Sequence, residues 1–174
     1  MRIAMLPRSL LLAVLLAPAC GRSQPHDAAP VSDVPETFHL ASVPQGAKTV
    51  REVITSAQDG EPVTITGRVG GAKKVFVDGY AAFTIVDASL HPCGEASMDE
   101  CKTPWDYCCV PPDEIAANAV SVELVADGRP LKASPRGFHG LDLLKTVVVQ
   151  GKVAKDASGN VRVLATGVHV AAGG

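Results

Sequence analysis

Four of the five cysteines fall in one stretch, LHPCGEASMDECKTPWDYCCVPPDE, residues 90 to 114. Cys93, Cys101, Cys108 and Cys109 follow the spacing C-x7-C-x6-C-C. Thiols so placed have three uses. In an oxidising compartment an even number of cysteines reads as two disulfides. Bonding Cys108 to Cys109 would close a strained ring, so Cys93 and Cys101 would each bond one of the vicinal pair. Each bridge would contribute ~3 kcal/mol by restricting the unfolded loop. Alternatively, the four thiolates can take zinc or copper(I), with His91 as a nearby nitrogen ligand. The usual C-x₂₋₄-C pair is missing, and adjacent cysteines ligate one tetrahedral ion awkwardly. The third use is exchange through a labile disulfide. No C-x-x-C is present, and the charge of Asp106 raises a neighbouring thiol pKa rather than lowering it. The disulfide reading is preferred. Trp105 and Tyr107, with Pro104, offer a ligand surface, or else cover the disulfides as a small core of their own.

Little else in the chain suggests catalysis. A hydrolase needs a nucleophile with a base, or paired carboxylates. His91, His139 and His169 sit in no nucleophile motif. His139 lies between glycines and His169 alternates with Val168 and Val170, so both read as surface residues. Asp99-Glu100 and Asp113-Glu114 read as solvated loop. Gly70-Gly71-Ala72-Lys73-Lys74 lacks the phosphate-loop pattern and reads as a bend. The expectation is a chain that is not an enzyme and needs no cofactor.

The elements that carry the cysteines are strands. Residues 49 to 57 first place Val50, Val53, Ile54 and Ala57 on one helical face, with Thr49 and Glu52 as a capping box. Alternating apolar and polar residues then mark five strands. These are Val63 to Val69, Ala82 to Asp87, Ala119 to Val125, Thr146 to Val153, and Asn160 to Leu164 extending to Val170. Gly67 inside the first marks a bulge or a sharp curl. Ala157-Ser158-Gly159-Asn160 is the turn before the last. Phe138 to Lys145 (FHGLDLLK) forms a short helix between the third and fourth strands. The cysteine stretch is then an insertion between strands two and three.

Five strands with a helix between the third and fourth is the order of an OB-fold barrel. The chain resembles exported OB-fold proteins over roughly residues 62 to 171, on TITGRVGG, AFTIVD, TVVVQGKV and the helix position. The resemblance implies an all-β, five-stranded barrel with short helices. OB barrels commonly bind oligonucleotides or oligosaccharides, by fold-level analogy alone. The segment CKTPWDYCC resembles a motif in a small family of exported bacterial proteins of unknown function, which implies no activity.

The start of the chain bears on compartment. Arg2 and Arg8 precede the apolar run LLLAVLLA, which is too short to span a bilayer. A basic start, a short apolar run and small residues make a signal peptide, residues 1 to 19. Ala17-Pro18-Ala19 fits simple cleavage. Ala17-Pro18-Ala19-Cys20 resembles a bacterial lipobox, in which Cys20 is lipidated and becomes the first residue. Residues 20 to 47, with Pro25, Pro30, Pro35 and Pro44, read as a flexible lipid-anchored tether. Residues 48 to 174 form the one folded domain. Without Arg2 and Arg8 the 16 basic residues fall to 14, against 18 acidic ones, a formal charge of −4. That balance and only seven aromatic residues disfavour nucleic acid as a partner. The function expected is a non-enzymatic binding or structural module of the cell envelope, facing the periplasm or exterior. The membrane holds it through the anchor, and its partner is an envelope protein or a glycan. The alternative is a metal-binding or thiol-redox protein using the same four cysteines.

Overall fold

Alternation along the chain sorts side chains between a barrel interior and solvent. The computed structural model describes residues 31–94 and 107–172. A two-residue strand, β1 (Lys48–Thr49), runs into helix α1 (Val50–Ser56). The helix starts where expected. The Thr49 hydroxyl accepts from the Glu52 N–H at 3.2 Å, and the Glu52 carboxylate accepts from the Thr49 N–H at 2.7 Å. Val50, Val53 and Ala57 are buried.

The main strands are β2 (Pro62–Val69), β3 (Ala82–Val86), β4 (Ala119–Ala126), β6 (Thr146–Lys155) and β7 (Val161–Val170); β5 (Arg129–Pro130) is a short return along β4. β2 pairs antiparallel with β6 over most of its length, while Arg68 and Val69 also pair with β3. β3 is antiparallel to β4, β4 parallel to β7, and β7 antiparallel to β6. The circuit closes as β2-β3-β4-β7-β6-β2, the all-β, five-stranded, OB-fold-like barrel expected.

Gly67 lets β2 curl between two neighbours. A Cβ there would lie 2.8 Å from the Val86 carbonyl oxygen and 3.0 Å from Val50 Cγ2. Inside the barrel, Ile65, Val69, Phe83, Ile85, Val122, Leu124, Val147, Val149, Val163 and Val168 are all buried. Burying each such side chain contributes roughly 1.5–3 kcal/mol. At the β6–β7 turn, Gly159 takes φ +84° and the Asp156 carboxylate accepts the Ser158 and Asn160 N–H groups.

Three expectations need correction. Phe138 to Lys145 is not a helix. Only a 3-10 turn, Phe138–Gly140, forms there. Gly137, His139 and Gly140 have φ of 94°, 46° and 84°, left-handed values that break a helix. Helix α2 (Pro112–Ala117) appears where none was expected. Pro112 suits the first turn, whose N–H groups have no helical partner, and Asp113 and Glu114 lie favourably there.

The third correction concerns residues 20 to 47. From Val34 onward this stretch packs on the barrel instead of running free as a tether. Val34 and Phe38 are buried in the main core. The Leu40 N–H donates to the Val168 carbonyl at 3.0 Å, and Asp33 accepts the Ser134 N–H. Isolated apolar residues among prolines carry no periodic signal, yet two of them fill sites on the barrel wall. Residues 1 to 30, with the signal segment and Cys20, lie outside the described residues. Among the described residues, no helix is long and apolar enough to cross a membrane.

Candidate functional site

The cysteines are positioned by a second apolar cluster on the outside of the barrel. Successive strand residues face opposite ways, so Ile85 points into the main core and Val86 out of it. Val86, Leu90 and Tyr107 form the buried centre of this cluster, with Val110, Ile115 and Ala119 against it. Both ends of the insertion are thereby tied to one patch of β3, α2 and β4.

Polar contacts fix the same ends. Asp87, just past β3, is buried. Its carboxylate accepts the Arg51 N–H at 2.9 Å and the Ser89 N–H at 3.0 Å. Burial pushes its pKa up, but the backbone donors of Arg51 and Ser89 outweigh this and hold it below the usual 3.8. The Asp87 N–H donates to the Asn118 carbonyl at 2.9 Å. Asn118 Oδ1 accepts from Arg51 Nε at 2.9 Å, and its Nδ2 donates to the Glu114 carbonyl at 2.8 Å. The first turn of α1, the exit of β3 and the entry to β4 are joined in this way.

Tyr107 enters the cluster fully buried, and a turn closed by the Val110 N–H to the Tyr107 carbonyl, 3.0 Å, follows it. That turn carries Cys108 and Cys109 to Cys93. The Cys93 and Cys108 Sγ atoms are 2.9 Å apart, and those of Cys108 and Cys109 are 3.9 Å apart. All three lie within 4.8 Å of one another. Cys93 and Cys108 are half-buried and Cys109 is exposed. In a tetrahedral zinc site, ligand bonds of about 2.3 Å put neighbouring sulfurs roughly 3.8 Å apart. The Cys108–Cys109 separation suits that edge, and the Cys93–Cys108 separation is too short for it. A disulfide bond is ~2.05 Å, shorter than either separation.

The structure brings together three of the four expected cysteines. Cys101 and Trp105 lie outside the described residues, as do Asp99 and Glu100. His91 is exposed and is not part of the close thiol set. Tyr107 is not a ligand surface. Tyr107 is fully buried and packs with Val86 and Leu90 against the barrel wall. Asp113 and Glu114 are exposed in the first turn of α2. Gly71, at φ +79°, makes the expected bend, where a side chain would meet Val86. His139 and His169 are less bare than expected. His139 Nε2 lies 2.8 Å from the Glu36 carboxylate, and its ring stacks on His39 with centroids 3.6 Å apart. His169 Nδ1 donates to the Leu40 carbonyl at 2.8 Å. Both hold the N-terminal stretch to the barrel.

Sequence reasoning missed the Asp87–Arg51–Asn118 network. Its signal was Asp87-x-Ser89, a pattern in which an aspartate accepts the N–H two residues on. The His39–His139 stack had no local signal, because its members are far apart in the chain.

Fold and site together define a class, an OB-fold-like barrel with a thiol-bearing insertion docked outside it. No known protein-family profile matches the chain. No curated protein matches it. Among solved structures it is similar to an OBody bound to hen egg-white lysozyme, at 15% identity and a TM-score of 0.41, over 77% of this chain and 99% of that one. It is also similar to a putative aspartyl-tRNA synthetase from Leishmania major Friedlin, at 11% identity and a TM-score of 0.38, over 76% of this chain and 22% of that one.

Proposed function

We propose that this chain is an envelope-tethered, non-enzymatic binding or structural module whose insertion is stapled by two disulfides, Cys93–Cys108 and Cys101–Cys109. The observation that carries the staple is the 2.9 Å approach of Cys93 and Cys108. The two come from separate turns anchored in the same outer cluster, one through Leu90 and one through Tyr107. With Cys93 and Cys108 paired, Cys101 and Cys109 are the two left to bond. The envelope reading rests on Arg2, Arg8, the short apolar run and the lipobox-like APAC ending at Cys20. An envelope protein or a glycan is the class of partner that fits this location, and the acidic balance speaks against nucleic acid.

A second reading has one observation in its favour. Cys108 and Cys109, 3.9 Å apart, suit adjacent thiolates on zinc or copper(I). One experiment decides between the two. Protein from the native membrane fraction is denatured without reductant, its thiols titrated, its metals measured and its cysteine peptides mapped. The expected result is no titratable thiol among the four, no stoichiometric metal and the two pairings named. Four titratable thiols with an equivalent of metal would replace the staple with a metal centre.

A further inference from the structure

Residues 72–79 form an arm that returns along β3. Phe76 bridges Phe83, the Val77 N–H donates to the Ala82 carbonyl at 3.0 Å, and the Thr84 N–H donates to the Val75 carbonyl at 3.0 Å. In an antiparallel pair, backbone groups point alternately toward and away from the partner strand. The Phe76 N–H and C=O therefore point away from β3, and among the described residues they make no backbone hydrogen bond. Phe76 is one of the residues lining a cleft of about 460 Å³, together with Pro135, Arg136 and Leu143. Exposed apolar side chains gather here. Val77 (45% exposed) and Leu143 (41%) line the cleft, and Tyr80 (44%) and Leu144 (38%) follow close behind them in the chain; only Val31 and Val43 match these elsewhere among the described residues. Grouped exposed apolar side chains beside a concave site mark an interaction surface.

The charges at the cleft are unequal. Asp78 is taken by Lys74 at 2.6 Å, and Asp142 by Arg136 Nε at 2.9 Å. Lys73 makes no ion pair among the described residues, and the Arg136 guanidinium lies 5.8 Å over the Phe76 ring with its terminal nitrogens still able to donate. The surplus is positive and suits a carboxylate. Arg136 lies over Phe76, the one aromatic ring lining the cleft.

We propose that this cleft binds an extended peptide segment of a partner protein. The peptide backbone pairs with the Phe76 N–H and C=O as an added strand. An apolar side chain of the peptide packs against Val77 and Leu143, and its carboxylate meets Lys73 and Arg136. The inference rests on the binding-module reading and selects a protein, rather than a glycan, as partner.

The test pans a displayed library of heptapeptides with free carboxyl termini against the oxidised full chain. The enriched peptide is then synthesised and titrated while backbone amide shifts are followed. Shifts should concentrate in 73–78 and 134–143, and the Phe76 amide hydrogen should become slow to exchange. Amidating the peptide terminus, or Lys73→Gln, should weaken binding about tenfold, as loss of a charge-assisted contact does. Leu143→Glu, at an exposed position, should abolish binding while leaving the rest of the spectrum in place. No enrichment, or shifts that map elsewhere on the barrel, would overturn the proposal. The same preparation is assayed for thiols and metal. Full oxidation without peptide binding would overturn this inference alone; a bound metal with peptide binding intact would overturn the disulfide staple alone.

Discussion

Asp87 is a buried carboxylate that serves as a backbone bracket. It accepts two N–H groups that belong to different elements, at Arg51 and Ser89. Its folded pKa lies below 3.8, so the native state binds its proton less readily than the unfolded chain does. The stability this supplies is present above pH 3.8 and is lost as pH falls through the lower, folded value. Asp87→Asn should lower stability by about 1–3 kcal/mol at neutral pH, because one amide cannot serve both donors equally. Urea melts between pH 6 and pH 2.5 should show the parent losing its advantage over the variant at the acid end. An advantage that does not shrink at all between pH 6 and pH 2.5 would exclude the charge as its source. At this scale the sequence was half legible. The vicinal pair and Cys93 stood out by type and spacing, and three thiols do meet. Which thiol approaches which depended on Tyr107, whose burial no neighbouring residue announces.

Elements were legible in proportion to their periodicity. All five barrel strands alternate, and each was found within a few residues of its observed ends. The capping box of α1 was explicit in Thr49 and Glu52. The Phe138 stretch misled because Phe138 and Leu141 are both buried, three residues apart as on a helix, while the backbone between them turns left-handed. The N-terminal stretch misled in the opposite sense, since Val34 and Phe38 stand among prolines, with Pro35 between them, and read as spacer. Its packing gives a direct expectation. Phe38→Ala should cost about 3 kcal/mol through lost burial and the cavity left behind. Calorimetry of the variant should show a melting point several degrees lower. An unchanged melting point would return the stretch to a tether.

On the scale of the molecule there are two cores, one inside the barrel and one outside it, on opposite faces of β3. The inner core needs nothing from the insertion. Reduction of the proposed disulfides should therefore raise hydrogen exchange around Tyr107, Leu90 and α2, while β2, β4, β6 and β7 keep their protection. Global unfolding on reduction would show that the two cores are one cooperative unit. The closed barrel itself was legible from five alternating strands and a glycine placed for the curl. The outer core was not, because it is assembled from the two far ends of an insertion and one outward-facing valine.

The seam between β2 and β6 also sets the order in which the barrel can be finished. A chain made from its N-terminus has β2, β3 and β4 long before β6 and β7, yet β2 awaits β6 and β4 awaits β7. The last two strands are joined by a short turn and pair with each other along most of their length. They can form a hairpin on their own and then dock as one piece between the two waiting strands. Completion is thus a single late, non-local event, and barrels of such high contact order fold in milliseconds to seconds rather than microseconds. The β6–β7 hairpin, Thr146 to Val170, acts as the keystone of the assembly.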